Sequence, residues 1–226
     1  LITSERLAVL GRLTGSISHE LRNPLAIIDS SAYCLNKTFK DIPNPKAMIY
    51  VERIKKQVVR SIAIIQSMFD LTQSKYPQKA PFDLIDSVKD AIRDIEIPKS
   101  IYLMRYLPDE KLIISGDKEM IRISIKNIVH NAVQSIKDDG VVTIHVKRSK
   151  EKENAEIIIK DTGCGIPPEN LEKIFEPLFS TRTIGIGFGL SISRQVIVMH
   201  QGTIDVESEI EKGTKFKITI PLFSDT

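Results

Sequence analysis

A three-and-four residue step runs from about Thr3 to Asn36 through Leu7, Leu10, Thr14, Ile17, Leu21, Pro24 and Ile28. It recurs at Val51, Ile54, Val58, Ser61, Ile65, Met68 and Thr72. This heptad spacing predicts two helices packed side by side. Between them, Lys37 to Lys46 carries Pro43, Asn44 and Pro45, which end one helix and start the next. The expected result is an all-α antiparallel hairpin. Its broad apolar stripe is best buried by dimerisation into a four-helix bundle.

Around Pro77 the pattern changes. Pro77 and Pro81 flank a short polar link, and the texture then becomes mixed. Asp83 to Ile95 and Asp117 to Lys137 read as helices. Ile101 to Leu107, Val141 to Arg148, Ala155 to Lys160, Gly202 to Glu207 and Lys215 to Ile220 read as strands, antiparallel in style. Val141 to Lys160 reads as a hairpin turning at the charged run Lys150 to Asn154. The expected second domain is an α/β sandwich, with helices on one face of a sheet. The expected division is residues 1–76 and 77–226.

Composition narrows the function classes. Of 226 residues, 42% are apolar and 27% charged, as in ordinary globular proteins, and the net charge is only +3. No long basic run or aromatic-plus-basic patch points to nucleic acid. Cys34 and Cys164 lie far apart, without metal-like spacing, which fits a reduced, cytoplasmic setting. No apolar run approaches the ~20 residues of a membrane span, and no signal peptide is visible. The chain opens at Leu1 already in helical pattern. A sensor domain, or any membrane anchor, is therefore expected in segments beyond it.

Two polar signals interrupt this plain background. The first is Ser18-His19-Glu20-Leu21-Arg22-Asn23-Pro24. His19 lies two positions from both Ile17 and Leu21 and so points away from the seam, while Asn23, four residues on, shares its face. A neutral imidazole is a usable nucleophile near pH 7, and the neighbouring Glu20 can hold one ring nitrogen protonated. Pro24 cannot donate to the carbonyl of Glu20, which loosens the same turn. His130, His145 and His200 lack such company; for His200, before Gly202, a helix-end role suffices.

The second signal is a series of elements suited to a nucleotide. Asn127 and Asn131 share a helix face, where an amide oxygen and phosphate oxygens can hold Mg²⁺. Asp161-Thr162-Gly163-Cys164-Gly165 follows a strand, placing a carboxylate to accept from an exocyclic amine and glycines to let a ligand approach. Glu176 to Ile184 is a long irregular segment suited to a lid. Gly185-Ile186-Gly187-Phe188-Gly189-Leu190 opens a helix, whose free N–H groups suit phosphates. Gly213-Thr214 follows, with Thr214 placed to donate to a base or a bound water.

His19-Glu20-Leu21-Arg22-Asn23-Pro24-Leu25 resembles the H-box of the sensor histidine kinases of two-component systems. The later series resembles their catalytic domain, a Bergerat-type ATP-binding fold shared with gyrase, heat-shock chaperone and mismatch-repair ATPases. The resemblance implies His19 as phosphoacceptor, Glu20 as its acid/base and Asn23 as the residue positioning water on a partner's acyl phosphate. It implies Asn127 and Asn131 in the N-box, with Asn131 the Mg²⁺ ligand. Asp161 would read adenine, Gly163 and Gly165 shape its pocket, and Phe175 and Phe179 form the F-box. Gly185, Gly187, Gly189 and Leu190 would line the phosphates, with Arg182 in the lid and Thr214 near the base.

The resemblance further implies a homodimer, ATP and Mg²⁺, and a response-regulator receiver domain as phosphoryl acceptor, with phosphatase activity toward it. Threonine is common at the Ile186 position and a basic residue at the Gln134 position, so this chain departs from the pattern at both. Hydrolytic relatives place a glutamate where Asn127 stands, so the γ-phosphate here is expected to await His19 rather than water. An ATP-hydrolysing conformational machine and a non-catalytic dimeric scaffold are the alternatives.

Overall fold

The computed structural model describes residues 22, 25–37, 48–56, 58, 61–62, 77–149, 153–176, 179–180, 187 and 189–224. His19, Glu20, Asn23, Arg182 and Gly185 lie outside them, as do Ile186 and most of the heptad positions named above. The chain forms two compact units.

The first unit shows helix α1 over residues 25–37 and α2 over residues 48–56. Ala32, Val51 and Val58 are buried. Lys55 Nζ of α2 lies 5.4 Å from the centre of the Tyr33 ring of α1, a contact between the two helices. Two seam positions remain wet in the single chain, Ile28 at 44% and Ile54 at 40% exposure.

The second unit runs β1 (Ala80–Asp83), α3 (Leu84–Arg93), β2 (Ile101–Tyr106), β3 (Ile113–Gly116), α4 (Lys118–Ser135), β4 (Gly140–Arg148) and β5 (Asn154–Asp161). After two single 3₁₀ turns come α5 (Gly189–Met199), β6 (Thr203–Glu209) and β7 (Gly213–Pro221). Five strands form a sheet in the order β2-β4-β5-β7-β6.

The expectation of a wholly antiparallel sheet is corrected at its edge. β2 pairs with β4 in parallel, Ile101 against Gly140 and Tyr106 against His145. A parallel pair needs a crossover of a dozen or more residues, and the segment containing α4 supplies it. The link around Pro81 is also corrected: it holds β1, which pairs with β3 in a separate two-stranded ribbon. Proline is tolerated in an edge strand, and four residues give too little alternation to read.

Alternation along the strands separates the two faces. Val142, Ile144 and Val146 of β4, Ala155, Ile157 and Ile159 of β5, and Phe216, Ile218 and Ile220 of β7 are buried. Ile121, Ile125, Ile128, Val129 and Ala132 of α4 and Leu84, Val88 and Ala91 of α3 join them in one core cluster. The opposite face is polar. There Glu156 meets Lys217 at 2.9 Å and Lys147 at 3.3 Å. Burial pushes its carboxyl up, but the two ammonium groups outweigh this and hold it below the usual carboxylate range.

Aspartates start the helices that carry the core. Asp83 Oδ1 accepts from Ile85 N at 3.1 Å and from Leu112 N at 3.2 Å. Asp117 Oδ1 accepts from Glu119 N and Met120 N, both at 3.1 Å. Each carboxylate satisfies amide groups the first helical turn leaves unpaired.

Candidate nucleotide site

The strongest polar arrangement among the described residues centres on the end of β5. Asp161 is only 2% exposed. Its Oδ1 accepts from Gly163 N at 2.8 Å, Ser135 Oγ at 2.8 Å and Thr214 N at 3.3 Å. The donors come from the following loop, the last residue of α4 and the start of β7. Burying a charge without such partners is costly, so this carboxylate is held by design of the surrounding elements.

The loop after Asp161 is fixed on both sides. Cys164 N donates to Ser135 O at 3.1 Å, and Glu211 N donates to Cys164 O at 2.9 Å. Ile166 N donates to Ser208 Oγ at 2.8 Å. The glycines are needed because the protein's own backbone and side chains come close. A side chain on Gly163 would overlap Ser135, and one on Gly165, at φ +71°, would overlap the Glu209 carbonyl. The expected close approach is therefore first an internal one.

Thr214, expected to donate to a base or water, is 4% exposed. Its Oγ1 lies 2.9 Å from Ser208 Oγ, and its amide serves Asp161. Ser208 thus joins the β6–β7 hairpin to the glycine loop. No sequence pattern marks Ser208, because a single serine in a polar strand carries no periodic signal. Ser135 does carry one: Asn127, Asn131 and Ser135 stand four residues apart on one face of α4.

Asn127 and Asn131 are half-buried. Asn127 Nδ2 donates to the Gly189 carbonyl in the first turn of α5, at 3.5 Å. Ser193 Oγ reaches the same carbonyl at 2.8 Å and Ser124 O of α4 at 3.2 Å. Gly187, at φ +79°, leads into α5, whose first residues Gly189 and Leu190 stand beside α4. Gln134, where this chain departs from the family pattern, has its Nε2 3.2 Å from His130 Nε2.

Phe175 and Phe179 both pack against the core cluster. The Phe175 ring meets Phe216 edge-on, with centroids 6.4 Å apart, and the Arg194 guanidinium lies 5.1 Å from its centre. These rings anchor the segment that starts the expected lid.

His200 is more than a helix-end residue. It is 3% exposed, and its Nε2 accepts from Asp117 N at 2.9 Å while Nδ1 donates to Val196 O at 2.7 Å. It thereby joins the end of α5 to the cap of α4. Burial pushes its imidazole below the usual value, and Lys79 adds to this, while Val196 O and Asp117 act the other way.

Comparison with known proteins shows the family of both units. Residues 9–77 match the His Kinase A (phospho-acceptor) domain, and residues 116–224 match the histidine kinase-, DNA gyrase B-, and HSP90-like ATPase domain. The chain belongs to the histidine kinases. This histidine kinase is 30% identical over 222 residues to the signal transduction histidine-protein kinase AtoS of Escherichia coli, covering 97% of the chain and 36% of AtoS. It is 28% identical over 225 residues to sporulation kinase A of Bacillus subtilis, covering 98% of the chain and 36% of that kinase. The chain thus spans little more than a third of these relatives.

Among solved structures, histidine kinase ThkA in complex with response regulator protein TrrA matches 97% of the chain and 64% of that chain, at 27% identity and a TM-score of 0.69. The second unit accordingly belongs to the histidine kinase-, DNA gyrase B-, and HSP90-like ATPase family, and its five-stranded sheet with helices on one face is the expected α/β sandwich. No helix among the described residues is long and apolar enough to cross a membrane.

Proposed function

We propose that this chain is the transmitter portion of a cytoplasmic sensor kinase, divided at residue 76 into phosphotransfer and catalytic domains. It phosphorylates His19 from ATP and passes the phosphoryl group to an aspartate of a response-regulator receiver domain. The observation that carries the nucleotide reading is the convergence of Ser135 Oγ, Gly163 N and Thr214 N on Asp161 Oδ1. An ionised carboxylate so held is an acceptor matched to the 6-amino group of adenine.

The remaining roles follow from position along the chain. Gly163 and Gly165 shape the base pocket, and Thr214 closes it through Ser208. Phe175 and Phe179 anchor the lid, where Arg182 meets phosphate charge. Gly185, Gly187, Gly189 and Leu190 present the start of α5 to the phosphates, as helix N-termini do. Asn131 supplies an amide oxygen to Mg²⁺ beside Asn127. A Mg²⁺ ion completed by phosphate oxygens and water needs no carboxylate cage, and no cluster of three His, Cys, Asp or Glu occurs among the described residues. Bound there, the ion would neutralise phosphate charge.

The chemistry belongs to the first domain. An imidazole nitrogen of His19 bonds the γ-phosphorus, the bond from that phosphorus to its bridging oxygen breaks, and ADP leaves. Glu20 accepts the proton from the other ring nitrogen, adding about 10²–10⁴-fold. Positioning supplies most of the rate. Asn23 later orients water on the regulator's acyl phosphate. Asn127, an amide in contact with Gly189 O, offers no base for water, which favours transfer over hydrolysis. ThkA, solved with the response regulator TrrA, supports a receiver domain as partner. The exposed seam residues Ile28 and Ile54 support a homodimer.

The test is labelling with γ-labelled ATP and Mg²⁺. The label is expected to be acid-labile, base-stable and absent from His19→Gln, which still binds nucleotide. Label retained by His19→Gln overturns the assignment.

A further inference from the structure

The polar stripe on α4 extends one turn past Asn131 to Ser135, the one side-chain donor among the three named above on Asp161 Oδ1. We infer that Ser135 is a positioning residue for adenine recognition, acting through the Asp161 carboxylate. The inference rests on the nucleotide reading and deepens it by naming what sets its selectivity.

Ser135 is 8% exposed. Its hydroxyl has one proton and two acceptors within reach, Ala132 O at 2.7 Å and Asp161 Oδ1 at 2.8 Å. Hydrogen bonds to a carboxylate are about twice as strong as neutral ones, so the proton goes to Asp161. Together with Gly163 N and Thr214 N, this bond fixes the plane of the carboxylate. Without the hydroxyl the carboxylate loses its side-chain donor from α4, and it gains freedom to turn.

Residue 135 also meets the loop elsewhere. Its carbonyl accepts from Cys164 N at 3.1 Å, and its side chain fills the space that a side chain on Gly163 would need. Asn131 stands one helical turn away, about 6 Å along a rigid rod. One residue therefore ties the base-reading loop to the helix that carries the metal ligand. A fixed acceptor rewards a purine with an amino group at position 6 and is indifferent to one without it.

The experiment measures, on the full chain, binding of ATP and of purine riboside triphosphate, which lacks the 6-amino group. Wild type is expected to prefer ATP. In Ser135→Ala, ATP binding weakens about tenfold, purine riboside triphosphate binds as before, and the preference falls by the same factor. The rate of His19 labelling at saturating ATP changes little. Should Ser135→Ala fail to fold, Ser135→Cys keeps the volume with a weak donor and shows the same loss of preference. Equal weakening of both nucleotides, or no change in the ratio, overturns the inference while leaving the kinase reading intact. Absence of any ATP preference in wild type overturns the role of Asp161 and this inference together.

Discussion

Asp161 and the glycines after it form a unit whose members fail differently. Asp161→Asn places an amide N–H₂ group where donors already converge, and ATP binding is expected to fall at least about tenfold by titration calorimetry. Gly163→Ala brings a methyl group onto Ser135 and is expected to cost about 1–3 kcal/mol in urea unfolding. A partial recovery in the double variant Gly163→Ala with Ser135→Gly would show that the clash is the cause. Gly165→Ala adds backbone strain, because its φ of +71° suits glycine. These residues were legible in the sequence as a set, and the reason for each glycine was not. A sequence shows that the chain can turn tightly there; only the fold shows that Ser135 and Glu209 are what press against it.

Between elements, the α4–α5 contact is polar at three points: Asp117 with His200, Ser124 with Ser193, and Asn127 with Gly189. His200 makes the contact pH-dependent. Its folded value lies below the ordinary 6.5, so the unfolded chain binds the extra proton first. Stability from this group is fully present above about pH 6.5 and is lost as pH falls toward the folded value. Lys79 and Asp117 face the ring and oppose each other in setting that value. Unfolding at pH 7.5 and 5.5 should show lower stability at the acid end. His200→Ala should remove that part of the slope and cost about 1 kcal/mol at pH 7.5, since the part-buried Asp117 N–H loses its acceptor. The helices and the five long strands were legible from their periods of 3.6 and 2. The β1–β3 ribbon was not, because four-residue strands around Pro81 alternate too briefly. Nor was the parallel β2–β4 pair, since strand direction follows from the crossover and leaves no mark on local pattern. His200 was read as a helix-end residue because its long-range partner, Asp117, lies 83 residues away.

At the scale of the whole molecule, the proposed function divides the work of the two units between a nucleophile and a nucleotide. The first unit leaves Ile28 and Ile54 exposed at seam positions, so a second copy is expected to cover them. Ile54→Glu should shift the protein from dimer toward monomer in light scattering after size exclusion, while ATP binding in the second domain persists. The domain plan was the most legible feature of all, because each motif series sits in a region of distinct periodicity. Of the H-box, Arg22 and Leu25 are among the described residues.

The placement of β7 makes the chain vulnerable to early termination. It lies between β5 and β6, although it follows both along the chain. A variant cut before Gly213 gives up a single strand of the five-stranded sheet. Yet it would leave Ile157 and Ile159 on a raw strand edge, strand β6 without a neighbour, and Asp161 without the Thr214 amide. Such a product should be cleared by proteases as misfolded rather than persist as a dominant-negative subunit, and on the ribosome β5 and β6 cannot take their final places until β7 has emerged to pair with both.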